Sequence, residues 1–315
     1  MNKLSKPQIK QLLNNARDWI EVRLKSLIGE KKSLLAIWKL FYTTIGCISS
    51  IYGFTVLLKD LAGNDKAEEF CKNHFVLLII IAIVSSLIIH HQKISCKGSL
   101  LGDDLQIVVT VKDLFCSKAS SYVIPTNTFF RTNMDGEYIS PQSVQGAFQI
   151  RYFDKEYSEL DNLIRANLDL QDAKGDKCAD NFGPVIKYPI GTVSIVDHKD
   201  KHYYFVAISD VNQFGKPENQ TYENVEIAMN GLFNTINEKG YCDDLAMPLI
   251  GSGRAAIREA TIEKVVFETI DRFLTNEKKT ARRITICIRP KDFLEGRVDL
   301  KRIEKYLDYK SEFKQ

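Results

Sequence analysis

The sequence predicts an α/β domain, a sheet with helices on both faces, preceded by an all-α membrane hairpin. Three observations carry that expectation. Two uncharged apolar runs, Leu40–Leu58 and Phe75–Ile89, stand close together in the first third of the chain. From about Leu100 onward strand-like and helix-like segments alternate, as they do in layered α/β domains. A late strand then opens into Gly251-Ser252-Gly253, and ligands of such sheets sit at the carboxyl ends of strands. The organisation read from these features is an amphipathic helix over 1–33, a two-helix transmembrane hairpin over 34–94 and a ligand-binding domain over 100–315.

In Pro7–Glu30, Ile9, Leu12, Leu13, Ala16, Ile20, Leu24, Leu27 and Ile28 recur at helical period with lysines and arginines opposite. Such a helix fits either the inner leaflet of a membrane or a neighbouring subunit. At 1.5 Å per residue the first apolar run spans roughly 28 Å and the second about 22 Å, against a hydrocarbon core of about 30 Å. The second run alone also fits a buried core helix. The first run beside it and the polar Lys59–His74 segment between them favour a hairpin. Basic residues crowd the flank before the first run and include Lys93 and Lys97 after the second, while the intervening loop mixes lysines with acids. Positive flanks stay inside, so a multi-pass membrane location with both termini cytoplasmic is expected. Gly46, Ser50 and Gly53 give the first span a small face, suited either to another subunit or to the second span of the same chain.

Leu105–Val111, Ser121–Asn127, His202–Ile208, Leu245–Ile250 and Ile284–Ile288 read as strands. Gln142–Asp154, Glu156–Asp169, Thr221–Lys239, Glu259–Asn276 and Asp299–Phe313 read as helices. Gly240 is the stop of the third and Asp299 the cap of the last. The 315 residues carry a net charge of only +3, so no nucleic-acid partner is expected. Seven scattered cysteines show neither metal-ligand spacing nor a disulfide framework.

Three segments in this order carry a resemblance. Val111-Lys112-Asp113-Leu114-Phe115 ends one strand, Val123-Ile124-Pro125-Thr126-Asn127-Thr128 the next, and Pro248-Leu249-Ile250-Gly251-Ser252-Gly253 a third. Together they resemble the macro domain, an ADP-ribose-binding three-layer αβα sandwich with a mixed sheet. The resemblance places Asp113 at adenine, Asn127 near the distal ribose, and Gly251, Ser252, Gly253 and Arg254 at the diphosphate. Glycines let the backbone approach closely, and main-chain N–H groups favour an anion. From their residue types alone, Asp113 and Asn127 also read as turn residues and Arg254 as a solvated side chain.

The departures from the family matter as much. Where catalytic macro domains carry a glycine run after the asparagine, this chain has Thr128-Phe129-Phe130-Arg131. Phe129, Phe130 and Arg131 either line an enlarged pocket around a group on the distal ribose or fill the core. Hydrolysis is therefore not expected, and no cofactor is implied. A macro domain behind a membrane hairpin is similar to the membrane effector of the bacterial Thoeris anti-phage system. That resemblance implies a TIR-domain enzyme that consumes NAD, and an ADP-ribose conjugate bearing a histidine or imidazole group as second messenger. It further implies homo-oligomerisation and disruption of the lipid bilayer. The rival readings are a membrane-tethered ADP-ribosyl hydrolase using Asn127 and Asp135, and a constitutive membrane scaffold.

Overall fold

A computed structural model describes residues 4–28, 34–62, 69, 71, 73–99, 105–134, 139–154, 157–180, 183–212, 216–218, 221–240, 242–253, 257, 260–276 and 279–313. They group into two compact units. One holds the described residues up to Asp18 with Ser95–Phe293 and those from Arg297 onward. The other holds Trp19–Ile94 with Leu294–Gly296.

Three helices come first: α1 (Lys6–Ile28), α2 (Leu34–Ala62) and α3 (Phe75–His90). Within α2, Phe41–Leu61 is long and apolar enough to cross a membrane, by length and composition, and almost none of it is buried. The 16 residues of α3 give roughly 24 Å at 1.5 Å each, short of the hydrocarbon core. Among the described residues one helix meets the spanning criterion, with a shorter apolar companion. The two pack together, burying Thr55 of α2 and Ala82 and Ser86 of α3. Thr43 Oγ1 lies 2.9 Å from His90 Nε2. The glycines of the small face lie off this seam: a Cβ on Gly46 or Gly53 meets nothing within 4 Å, so close packing of α3 is not what they serve.

The other unit is built on strands β1 (Ser95–Ser99), β2 (Gln106–Val111), β3 (Ser121–Asn127), β4 (Asp176–Asp180), β5 (Gly183–Lys187), β6 (Val193–His198), β7 (Lys201–Val211), β8 (Pro217–Glu218), β9 (Cys242–Pro248) and β10 (Ala281–Ile288). The helices among them are α4 (Val144–Tyr152), α5 (Tyr157–Leu170), α6 (Tyr222–Lys239), α7 (Ile262–Thr275), α8 (Pro290–Leu294) and α9 (Leu300–Phe313). The main sheet has the order β1-β2-β10-β9-β3-β7-β6, with β8 beside β7 and a separate β4–β5 hairpin. Its centre is parallel and its edges β1 and β6 antiparallel. This is the mixed αβα architecture expected.

Side chains alternate across the pleat. Tyr122 and Ile124 of β3 and Tyr203, Phe205 and Ala207 of β7 join one core with Phe148 of α4 and Leu160, Ile164 and Leu168 of α5. Val206 and Ile208 face the other way and are buried on the side where α6 packs on β7. Five of the described strands, β1, β4, β5, β6 and β8, lie outside the segments read from sequence. Ser95–Ser99 has no apolar alternation and owes its form to pairing with β2. Gly98 there admits Leu307 of α9, whose Cβ would lie 3.1 Å from an added one. The β6–β7 turn uses Lys199 and Asp200 at positive φ, 50° and 59°, a conformation that hairpins ordinarily assign to Asn and Gly.

Candidate functional site

Strands β2, β10, β9, β3 and β7 run parallel, so their carboxyl ends share one edge. Along it stand Asp113 just beyond β2, Arg289 after β10, the 249–253 turn after β9 and Asn127 at the end of β3. With strands about 4.8 Å apart, the three steps from Asp113 to Asn127 cover roughly 14 Å. A cleft of about 170 Å³ opens at this edge, and its walls include Asn127, Ser143, Gln145, Gly251, Ser252, Gly253 and Arg289.

The turn is shaped by its glycines, each for a different reason. Gly251 has φ +83°, and a Cβ on it would lie 3.0 Å from Ile257 Cδ1, so the fold itself demands glycine there. Ser252 is buried and its Oγ donates to Leu249 O at 2.7 Å, which locks the bend. At Gly253 the φ is ordinary and an added Cβ meets nothing within 4 Å. Among the described residues no contact accounts for glycine at that position. Arg254 lies outside the described residues.

Among the described residues lining the cleft, Arg289 is the cation. Its Nε and Nη2 donate to Asp292 Oδ2 and Oδ1 at 2.9 and 3.0 Å, and Nη2 also donates to Ser252 O at 2.7 Å. The Asp292 side chain is almost fully buried and also receives Arg297 Nη2 at 2.9 Å. Two guanidiniums share one carboxylate, so the trio carries one formal positive charge beside the turn. A bidentate partner fixes the plane of a guanidinium, which is what recognition of an oxyanion requires.

On the other wall Asn127 sits at a register shift of β3 and is buried. Its Oδ1 accepts from Phe129 N at 3.0 Å, and its carbonyl from Phe130 N. That turn sends the following loop inward. Phe130, at φ 50°, is fully buried edge-on to Tyr188, and Phe129 is buried as well. Neither lines the cleft; both take the core alternative. Arg131 is also absent from the lining. Gln145 Nε2 holds its carbonyl at 2.8 Å while Gln145 Oε1 accepts from Thr126 Oγ1, and Gln149 Nε2, one helical turn on, holds Thr132 O. Two glutamines of α4 thus strap down the segment where a glycine run was missed.

Asp113 is half-buried and lies outside the cleft lining. Its Oδ1 accepts from Phe115 N at 2.9 Å and caps a single 3-10 turn, Leu114–Cys116. Burial raises its pKa, opposed by that hydrogen bond and by Arg151. Three cleft features were not singled out from sequence: Arg289, the buried Asp292 behind it and Ser209 at the end of β7. Arg289 was findable, since it directly follows a strand whose carboxyl end faces the ligand edge.

The family model described as "Thoeris protein ThsA, Macro domain" matches residues 107–289, more than half of the sequence. The chain belongs to that family. The residues lining the cleft all fall within the matched span, and Asp292 and Arg297 behind Arg289 lie just beyond it. Solved structures that it resembles include the Oceanobacillus iheyensis macrodomain with MES bound (15% identity, TM-score 0.47, 69% of this chain and 98% of that one). The same macrodomain with ADP shows 14% identity and a TM-score of 0.45 over 67% of this chain and 97% of that one. Thermosipho africanus DarTG in complex with ADP-ribose shows 12% and 0.43 over 67% of this chain and 47% of that one. No curated protein matches the sequence.

Proposed function

We propose that this chain is a membrane-anchored receptor for an ADP-ribose-derived signal. The observation that carries the reading is the order of groups along the carboxyl edge. A carboxylate, a fixed guanidinium with a bare main-chain bend, and a buried asparagine follow one another, in the order of adenine, diphosphate and distal ribose in ADP-ribose. The bend and Arg289 supply donors and charge for the diphosphate. Asp113 keeps one carboxylate oxygen on Phe115 N and offers the other to the adenine amino group. The segment after Asn127 is strapped into the core, which favours binding over turnover. The signal is an ADP-ribose conjugate bearing a histidine or imidazole group, made by a TIR-domain enzyme. Both termini are cytoplasmic, with α2 and α3 forming a hairpin in the inner membrane. The open Gly46, Ser50 and Gly53 face is where subunits approach when the ligand favours an assembled state that disrupts the bilayer; the ligand shifts that equilibrium only by its differential affinity.

Calorimetry on the full-length protein in lipid nanodiscs tests the site. ADP-ribose is expected to bind without being consumed, and Arg289→Gln to weaken binding roughly ten-fold, the worth of about 1.4 kcal/mol. An unchanged affinity would remove Arg289 from the site, and release of free ADP-ribose from an ADP-ribosylated protein incubated with this chain would favour a hydrolase. Asp113→Asn keeps the turn acceptor but puts a donor where adenine needs an acceptor, so affinity is expected to fall. Its stability should behave oppositely. A carboxyl whose folded pKa is raised costs stability once ionised, as pH climbs past the unfolded value. The Asn variant is therefore expected to be at least as stable as wild type at pH 7, with less dependence on pH between about 4 and 7 by that linkage. Lower stability at neutral pH would refute this account of Asp113.

A further inference from the structure

Helix α1 is built inside out. Its half-buried face is polar: Gln8 Nε2 donates to Arg151 O and Gln11 Nε2 to Ala147 O, and Ser5, just before the helix, donates to Asp154 Oδ1. Asn15 and Asp18 continue that face. Val22 is buried on that side, but six other apolar residues point away: Ile9, Leu12, Leu13, Ile20, Leu24 and Leu27 are all exposed, Leu13 at 66%. At 100° per residue these six fall within one stripe about 120° wide. Exposed Lys6, Lys10 and Arg17 follow one border of the stripe, and exposed Trp19 and Arg23 the other. Arg23 lies over the Trp19 ring, 5.6 Å from its centroid. Six residues after the end of α1, the chain enters α2, the helix of membrane-spanning length.

We propose that the outward face of α1 lies in the interface of an anionic bilayer. An apolar stripe with a basic border and an interfacial tryptophan is the chemistry of a helix lying at the headgroup level. Charge complementarity selects a lipid surface: each basic side chain near an anionic leaflet is worth about five-fold in partitioning, so Lys6, Lys10 and Arg17 together supply about two orders of magnitude. The tether to α2 keeps the stripe within reach of the same bilayer. The inference concerns α1 alone and presupposes only that α2 crosses a membrane.

The chain has two tryptophans, Trp19 in α1 and Trp38 in α2, which makes the two assumptions separable. Trp38→Phe protein is reconstituted in vesicles of phosphatidylcholine with or without about 30% phosphatidylglycerol, and Trp19 emission is read with brominated lipids and aqueous acrylamide as quenchers. Trp19 is expected to be quenched by brominated lipid and shielded from acrylamide in the anionic vesicles. Neutralising Lys6, Lys10 and Arg17 to Gln should abolish the dependence on anionic lipid, and Leu13→Glu with Ile20→Glu should return Trp19 to water. Trp19 left in water in anionic vesicles, while Trp38 in a Trp19→Phe protein is quenched by lipid, overturns the proposal. Shielding that rises with protein concentration and ignores lipid charge also overturns it, in favour of a second copy. Trp38 unquenched by lipid would instead overturn the membrane anchor on which both rest.

Discussion

Gly253→Asp is expected to cost at least about 30-fold in affinity for ADP-ribose, roughly 2 kcal/mol, while leaving thermal stability unchanged. The position permits a clean test because an added Cβ meets nothing within 4 Å and the backbone φ is ordinary. A carboxylate there would face the diphosphate proposed to lie on the bend. Two unit charges about 4 Å apart repel by about 4 kcal/mol at an effective dielectric of 20, and solvent at this exposed residue reduces that figure. Gly253→Lys, bulkier and of opposite sign, is expected to retain binding. Equal loss in the two variants would assign the effect to bulk, and equal binding would place the ligand elsewhere. Gly251 is the less informative target, because its φ of +83° and its approach to Ile257 make any substitution strain the turn before charge is felt.

What sequence could reveal here followed from how local each signal was. Helix α1 carried its apolar periodicity within its own residues, and α6 and α9 were marked at one end by Gly240 and Asp299; the Asp299 side chain does accept from Lys301 N at 2.9 Å. The parallel central strands were legible as apolar runs because both of their faces are buried. The edge strands were not. β1 exists because β2 offers it a ladder, and the β6–β7 turn places Lys and Asp in a left-handed conformation that composition does not announce. The site divides the same way. The Gly251-Ser252-Gly253 bend was visible as glycine spacing and Asn127 as a strand ending, whereas Phe129 and Phe130 left two readings open. Their fate depends on Gln145 and Gln149 holding the loop from a helix that begins some fifteen residues later, a long-range fact. Arg289 acquires meaning only through Asp292, Arg297 and the Ser252 carbonyl meeting at one point.

Gly146→Ala is expected to destabilise the protein by about 2–5 kcal/mol, combining a lost cap with overpacking, and to lower Tm by about 4–20 °C on the scale of a domain this size. Alanine ordinarily stabilises a helix relative to glycine by about 1 kcal/mol, so the sign itself is diagnostic. A Cβ on Gly146 would stand 2.1 Å from Ser140 O and 2.8 Å from its carbon, backbone atoms with no rotamer to yield. That carbonyl also accepts from Ser143 N and Ser143 Oγ at 2.9 and 2.7 Å, and Ser143 Oγ in turn caps α4 by accepting from Gly146 N at 3.0 Å. Moving Ser140 aside therefore unmakes the cap of the helix that carries Gln145 and Gln149. Because Ser140, Ser143 and Gln145 line the cleft, ADP-ribose affinity should fall in the same variant. The two losses separate by temperature: well below the variant's Tm, a folded protein with normal affinity would show that the cleft tolerates the shift, and an unchanged Tm would contradict the packing described for Gly146.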